Sequence, residues 1–129
     1  KLKHLDDYIK ARIKLANSYD AALAGMDNLI LPARSLHSKH VFHQYTLVLN
    51  GKDRNAMKEF LASKSVPAMI YYPVPLHLQK AYTDPRYKHG DFPITERLCA
   101  NVISLPMHTE MDDEQLSYIT SCVLEFLNS

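Results

Sequence analysis

The stretch HVFHQYTLVLN, residues 40–50, decides how this chain is read. It alternates and is rich in β-branched and aromatic residues, the pattern of a half-buried strand. Successive side chains of a strand point to opposite faces. Val41, His43, Tyr45, Leu47 and Leu49 therefore share one face, and Phe42, Gln44, Thr46 and Val48 the other. Asn50 and Gly51 then turn the chain. Two more strands are expected. One is residues 66–72 (VPAMIYY), stopped by Pro73 and Pro75, and the other is residues 101–105, ended by Pro106.

Helical spacing fills the intervals. Leu2, Leu5, Ile9, Ile13, Ala16 and Leu23 recur every three to four residues or a multiple, predicting an amphipathic helix over about residues 3–24 with Gly25 as its C-cap. Asp53 is placed to cap a helix burying Met57, Phe60 and Leu61. Residues 94–100 read as a short helix. Asp112 with Gln115 resembles a capping box ahead of a helix presenting Leu116, Ile119, Val123, Phe126 and Leu127 on one face. The order α, β, α, β, loop, α, β, α predicts an α+β fold: a small three-stranded sheet with helices on one face. Residues 73–93 carry four prolines and several aromatics with no periodicity, and a loop of that length in a small domain is usually functional.

Composition narrows the function classes. The 129 residues carry 15 Lys+Arg against 14 Asp+Glu, and a net charge of +1 gives no attraction to a phosphate backbone, so nucleic acid is not an expected partner. No apolar run approaches the roughly 18–20 residues that cross a bilayer. The two cysteines, Cys99 and Cys122, suit a reducing compartment, and KLKHLDDYIK has no secretory h-region, so a cytoplasmic location is expected. Gly25, Gly51 and Gly90 are scattered, and phosphate-cradling loops need clustered glycines. The chain opens in helical pattern without Met, as a piece of something longer would.

The chemistry-bearing residues are few. His37, His40 and His43 sit three apart, which on a strand turns neighbours to opposite faces, so no metal site is expected. Both cysteines lie among apolar residues in helical pattern and read as packing thiols. Residues 71–79 (YYPVPLHLQ) end a strand in two phenols, stiffen its exit with two prolines and offer His77 and Gln79. Beside His43 and Tyr45 this segment fits a polar pocket. It fits equally a proline-rich loop whose tyrosines cover the sheet edge.

Several blocks follow one another in a familiar order: KLKHLDDYIKARIKLANSYDAAL, HVFHQYTLVL, YYPVPLHLQKAY, GDFPITERLCANVISLPMH and the closing helix. Together they resemble the C-terminal domain of the DegT/StrS-type nucleotide-sugar aminotransferases, which use pyridoxal 5'-phosphate (PLP). The resemblance implies the small domain of the aspartate aminotransferase fold (fold type I), spanning residues 1–129, with a long linking helix over 1–26 and an α+β core over 40–129. It implies that the large PLP-binding domain, with its Schiff-base lysine, has no counterpart here. The chain alone is then expected to be inactive, holding no catalytic and no cofactor-binding residue.

As the resemblance implies, the parent would move an amino group from glutamate to a nucleotide-linked keto sugar during cell-surface polysaccharide or amino-sugar synthesis, as a homodimer. Carried over by position, His43 and Tyr45 match the first small-domain strand facing the active site. Tyr72, His77 and Gln79 match the loop on the nucleotide-sugar side. Where many members have His-Tyr-Pro, this chain has Tyr71, Tyr72 and Pro73. The other expectations are a freestanding ligand-binding module that kept the fold without the chemistry, and a regulatory or oligomerisation domain using the first helix as its contact surface.

Overall fold

The computed structural model describes residues 2–129; Lys1, where the linking helix was placed to begin, lies outside the described residues. A 3-10 turn, Leu2–His4, leads into helix α1, Leu5–Leu23, whose first turn carries Asp6 and Asp7 toward the positive end of the helix dipole. Gly25, at φ +78°, turns the chain out of the helix in a conformation open to glycine. Only the second half of α1 enters the core, through Leu15, Ala16, Tyr19 and Leu23. Leu2 and Leu5, the start of the expected stripe, stay 87% and 49% exposed.

The sheet has three antiparallel strands in the order β1 (Leu29–Ile30), β2 (Tyr45–Leu49) and β3 (Val102–Leu105). Three was the expected number, but the membership differs. Residues 66–72 contribute only an isolated antiparallel bridge, Met69 to Ser104, with N–H···O distances of 3.0 and 2.7 Å. Pro67 brings no N–H to a ladder, and Pro73 closes the segment two residues after Tyr71, so a regular strand cannot extend. The outer strand comes instead from Leu29–Ile30, between the two ranges assigned from the resemblance.

On β2, Tyr45, Leu47 and Leu49 point into the core, with Tyr45 opposite Leu105 and Leu47 opposite Ile103. Thr46 and Ser104 pair on the other face through their hydroxyls at 2.8 Å. The core face is covered by α1, α2 (Arg54–Ser63) and α4 (Asp113–Asn128). Helix α3 (Pro93–Asn101) adds no buried residue.

Helix ends form as the residue types dictate. Asp53 accepts from the N–H groups of Asn55 and Ala56, and Asp112 and Gln115 complete a capping box. Helix α2 closes with the Val66 N–H on Leu61 O at 2.8 Å and the Ser65 N–H on Ala62 O at 3.0 Å, while Val66 packs with Leu61 in the core. Arg54 is buried with its Nη1 on the carbonyls of Cys99 and Val102, so its charge ties the end of α3 to α2.

Candidate functional site

The segment before β2 departs from the alternation its sequence shows. Phe42 adopts φ +51°, and its ring is fully buried while Val41 and His43 are exposed. The inversion has local causes. The Phe42 N–H donates to His40 Nδ1 at 3.0 Å, closing a tight turn. The Arg34 guanidinium lies 4.2 Å from the centre of the Phe42 ring, a cation–π contact that helps hold it inward. From α1, Arg12 donates through Nη1 to the carbonyls of both Phe42 and His43, each at 3.0 Å. A left-handed residue with a bulky side chain costs about 1–2 kcal/mol, and here the buried ring and the guanidinium offset that.

With the backbone so held, His43 lines an open pocket of about 300 Å³ together with Arg12, Gln44, Met69, Tyr71 and Ser104. The Met69–Ser104 bridge carries residues 66–72 alongside β3 and brings Tyr71 to this pocket. The His43 imidazole makes no hydrogen bond among the described residues, so both ring nitrogens are free for a ligand.

Tyr45 lies elsewhere. Its ring is fully buried, stacked on Tyr19 at 4.8 Å, and its hydroxyl donates to Asp20 Oδ1 at 2.6 Å. The other oxygen of Asp20 pairs with Arg34. Burial first, then the hydrogen bond to Asp20 and its negative charge, push the Tyr45 hydroxyl far above the usual tyrosine range, with Arg34 opposing. Tyr45 therefore stands beneath the His43 segment as a neutral donor.

Of the remaining expected residues, His77 and Gln79 belong to a second segment. Residues 76–92 fold through two 3-10 turns, Leu76–Leu78 and Lys80–Tyr82, over a cleft of about 430 Å³ lined by Leu76, His77, Tyr82, Tyr87, Phe92 and Thr95. His77 packs edge-on against Phe92 at 4.8 Å, and its Nε2 lies 3.1 Å from Glu96 Oε1. Gln79 turns its amide back to the Val74 carbonyl at 3.2 Å. Tyr72 is 71% exposed and lines neither space. The structure thus brings His43 to Tyr71 and His77 to Phe92, while the five carried-over residues do not converge on one cavity.

Glu96 and Arg12 were missed as site residues by sequence reasoning. Glu96 did carry a signal, as the last residue of GDFPITE, a block already singled out. Arg12 carried a weaker one: it sits three, four and seven residues before Leu15, Ala16 and Tyr19, a cation on the face that is buried. Among the described residues no group of His, Cys, Asp and Glu is arranged to hold a metal ion. Cys122 is buried, Cys99 is half-buried, and both are free thiols.

Comparison with known proteins identifies this arrangement. The crystal structure of S. venezuelae DesV in complex with a ketimine intermediate superimposes with a TM-score of 0.93 at 28% identity, over 99% of this chain and 34% of that one. The UDP-N-acetyl-3-dehydro-alpha-D-glucosamine 3-aminotransferase of Acidithiobacillus ferrooxidans is 37% identical over 97% of this chain and 32% of its own length. A pleiotropic regulatory protein of Geobacillus stearothermophilus is 34% identical over 98% of this chain and 34% of its own length. The chain spans about a third of each. Residues 1–124 match a single family along their whole extent, and the three-stranded α+β fold agrees with it: the chain belongs to the DegT/DnrJ/EryC1/StrS aminotransferase family.

Proposed function

We propose that this chain is the small domain of a PLP-dependent aminotransferase that moves an amino group from glutamate to a nucleotide-linked keto sugar. The proposal places the parent enzyme in the cytoplasm as a homodimer, in cell-surface polysaccharide or amino-sugar synthesis. The observation that carries it is the family match over residues 1–124, together with a relative whose name specifies a UDP-linked 3-dehydro sugar.

Pyridoxal phosphate does not fit the residues described here. No lysine among them is buried, and none lines the His43 pocket. Gly25, Gly51 and Gly90 face open space and stand far apart along the chain, so they form no clustered phosphate-cradling loop. The cofactor supplies the amino-transfer chemistry in such enzymes, and the role proposed for this domain is to grip the sugar and keep water from it.

His43, free at both ring nitrogens, and Tyr71 offer polar groups to sugar hydroxyls from the smaller pocket. Tyr72, next to Tyr71 in sequence, is exposed, and its phenol is available to a ligand approaching from outside. His77 and Gln79 belong to the loop over the larger cleft. Tyr45 supports the His43 segment from beneath through Asp20. The uncovered turn before α1 and the beginning of that helix, with Leu2, Leu5 and Tyr8 exposed, are proposed as the surface on which the rest of the enzyme packs, since the relatives are about three times longer.

The test is glutamate-dependent amination of UDP- and dTDP-linked keto sugars by the enzyme containing this chain, followed as two half-reactions. His43→Ala should weaken the sugar half-reaction about ten- to a hundredfold if the imidazole meets a charged oxygen, and leave the glutamate half-reaction intact. Absence of amination on every sugar tested, or an equal loss in both half-reactions, refutes the assignment.

A further inference from the structure

We propose that Glu96 is a positioning residue that clasps the loop of residues 76–92 shut and sets the hydrogen-bonding character of His77. Five contacts converge on its carboxylate. His77 Nε2 lies 3.1 Å from Oε1 and His89 Nε2 lies 3.3 Å from Oε2. The Gly90 N–H lies 2.9 and 3.0 Å from the two oxygens, and the Phe92 N–H is 3.4 Å from Oε1. The Glu96 side chain is 11% exposed and that of His77 9%, so the central pair is shielded, while His89 is 84% exposed and adds its ring from outside.

The geometry has a local origin. Glu96 sits in the first turn of α3, which has no side-chain cap on Phe92. Its carboxylate reaches back to the N–H groups ahead of the helix, as the glutamate of a capping box does, and thereby pins the end of the loop to the helix start. The same oxygens receive a ring from the loop's beginning, 19 residues earlier. One carboxylate thus closes both ends of the segment lining the aromatic cleft.

The consequence for His77 follows from donor and acceptor counting. Burial works against ionisation of Glu96, but the Gly90 N–H, the His77 ring, the Phe92 N–H and the charge of His89 outweigh it and hold the carboxyl below the usual carboxylate range. An ionised carboxylate only accepts, so Nε2 of His77 carries the proton toward it. A neutral His77 then has Nδ1 left, which accepts and does not donate. The loop would take a sugar hydroxyl by accepting its proton, in contrast to His43, whose two nitrogens are uncommitted.

The role in sugar binding rests on the aminotransferase reading; the clasp does not, and the experiment separates them. Long-range proton–nitrogen NMR on the histidine rings of this chain should show His77 in a single Nε2–H tautomer. In Glu96→Ala both tautomers should appear, and the Gly90 and Phe92 amides should exchange about ten- to a hundredfold faster, as expected for bonds to a charged acceptor. If Glu96→Ala does not fold, Glu96→Gln keeps the volume and reads the same signals through its weakened pull on the Gly90 and Phe92 amides. An unchanged tautomer with unchanged exchange overturns the proposal.

In the transaminating enzyme, Glu96→Gln should raise KM for the nucleotide sugar about tenfold and leave the glutamate half-reaction as it was. A proportional loss in both half-reactions makes Glu96 merely structural and also overturns it. An enzyme that aminates no sugar refutes the aminotransferase reading alone, because the spectroscopic measurement needs no substrate.

Discussion

Replacing Arg12 by Met keeps most of the apolar stem and removes the guanidinium that holds the carbonyls of Phe42 and His43. A hydrogen bond to a charged group contributes about 1.5–3 kcal/mol. One of the two here is part-buried and the other exposed to screening, so together they are worth about 2 kcal/mol. Nothing replaces them, and Phe42 keeps its left-handed backbone. For a chain of this size, with a urea m-value of about 2 kcal/mol per M, the unfolding midpoint should fall by about 1 M. The slope should stay the same, because the surface exposed on unfolding is unchanged. Amide exchange should localise the effect, quickening at Phe42, whose N–H donates to His40 Nδ1, while the β2–β3 ladder keeps its protection. An unchanged midpoint, or a loss of protection spread evenly over the sheet, would refute the claim that Arg12 holds the His43 segment in place.

Two other outcomes follow from the same contacts. Burial raises the Tyr19 hydroxyl and, with Asp20, the Tyr45 hydroxyl far above the usual range, so each group favours the folded state while protonated. That stability is fully present below the unfolded tyrosine pKa of about 10 and is lost as pH rises beyond it. Ultraviolet titration should therefore show two tyrosines that ionise only as the chain unfolds, and a Tyr45→Phe variant should show one. Asp53→Ala removes the acceptor for the Asn55 and Ala56 amides and should cost about 1 kcal/mol in chemical denaturation, whereas Asp53→Asn should cost much less.

Elements whose information is local were legible in the sequence. Asp53 and Asp112 marked helix starts because a side-chain oxygen two or three residues from a free N–H needs no distant partner. The alternation put Tyr45, Leu47 and Leu49 together on one side of β2, and the structure shows that side to be the buried one. Helix α1 was legible in extent but not in facing: Leu2, Leu5 and Ile9 have the same periodicity as Leu15, Tyr19 and Leu23, and only the reach of the sheet decides which half finds a partner. The strand expected at residues 66–72 failed because apolar, β-rich residues say nothing about where ladder partners lie, and Pro67 withholds a donor. Residues 29 and 30 became a strand through pairing with Val48 and Leu49, which their own two residues do not announce.

The candidate site divides along the same line. His43, Tyr45, Tyr72, His77 and Gln79 were singled out by residue type and by likeness to family blocks, and those are properties of the sequence by itself. So are the α+β class, the helix caps and the scattering of the glycines. Tertiary structure alone decided what each residue does with its polar atoms. It buried Tyr45 on Asp20, moved His43 to the surface by inverting Phe42, and committed His77 to a carboxylate 19 residues away. The physical reason is that a hydrogen bond or a cation over a ring depends on distance in space, and a pattern along the chain reports only spacing along the chain.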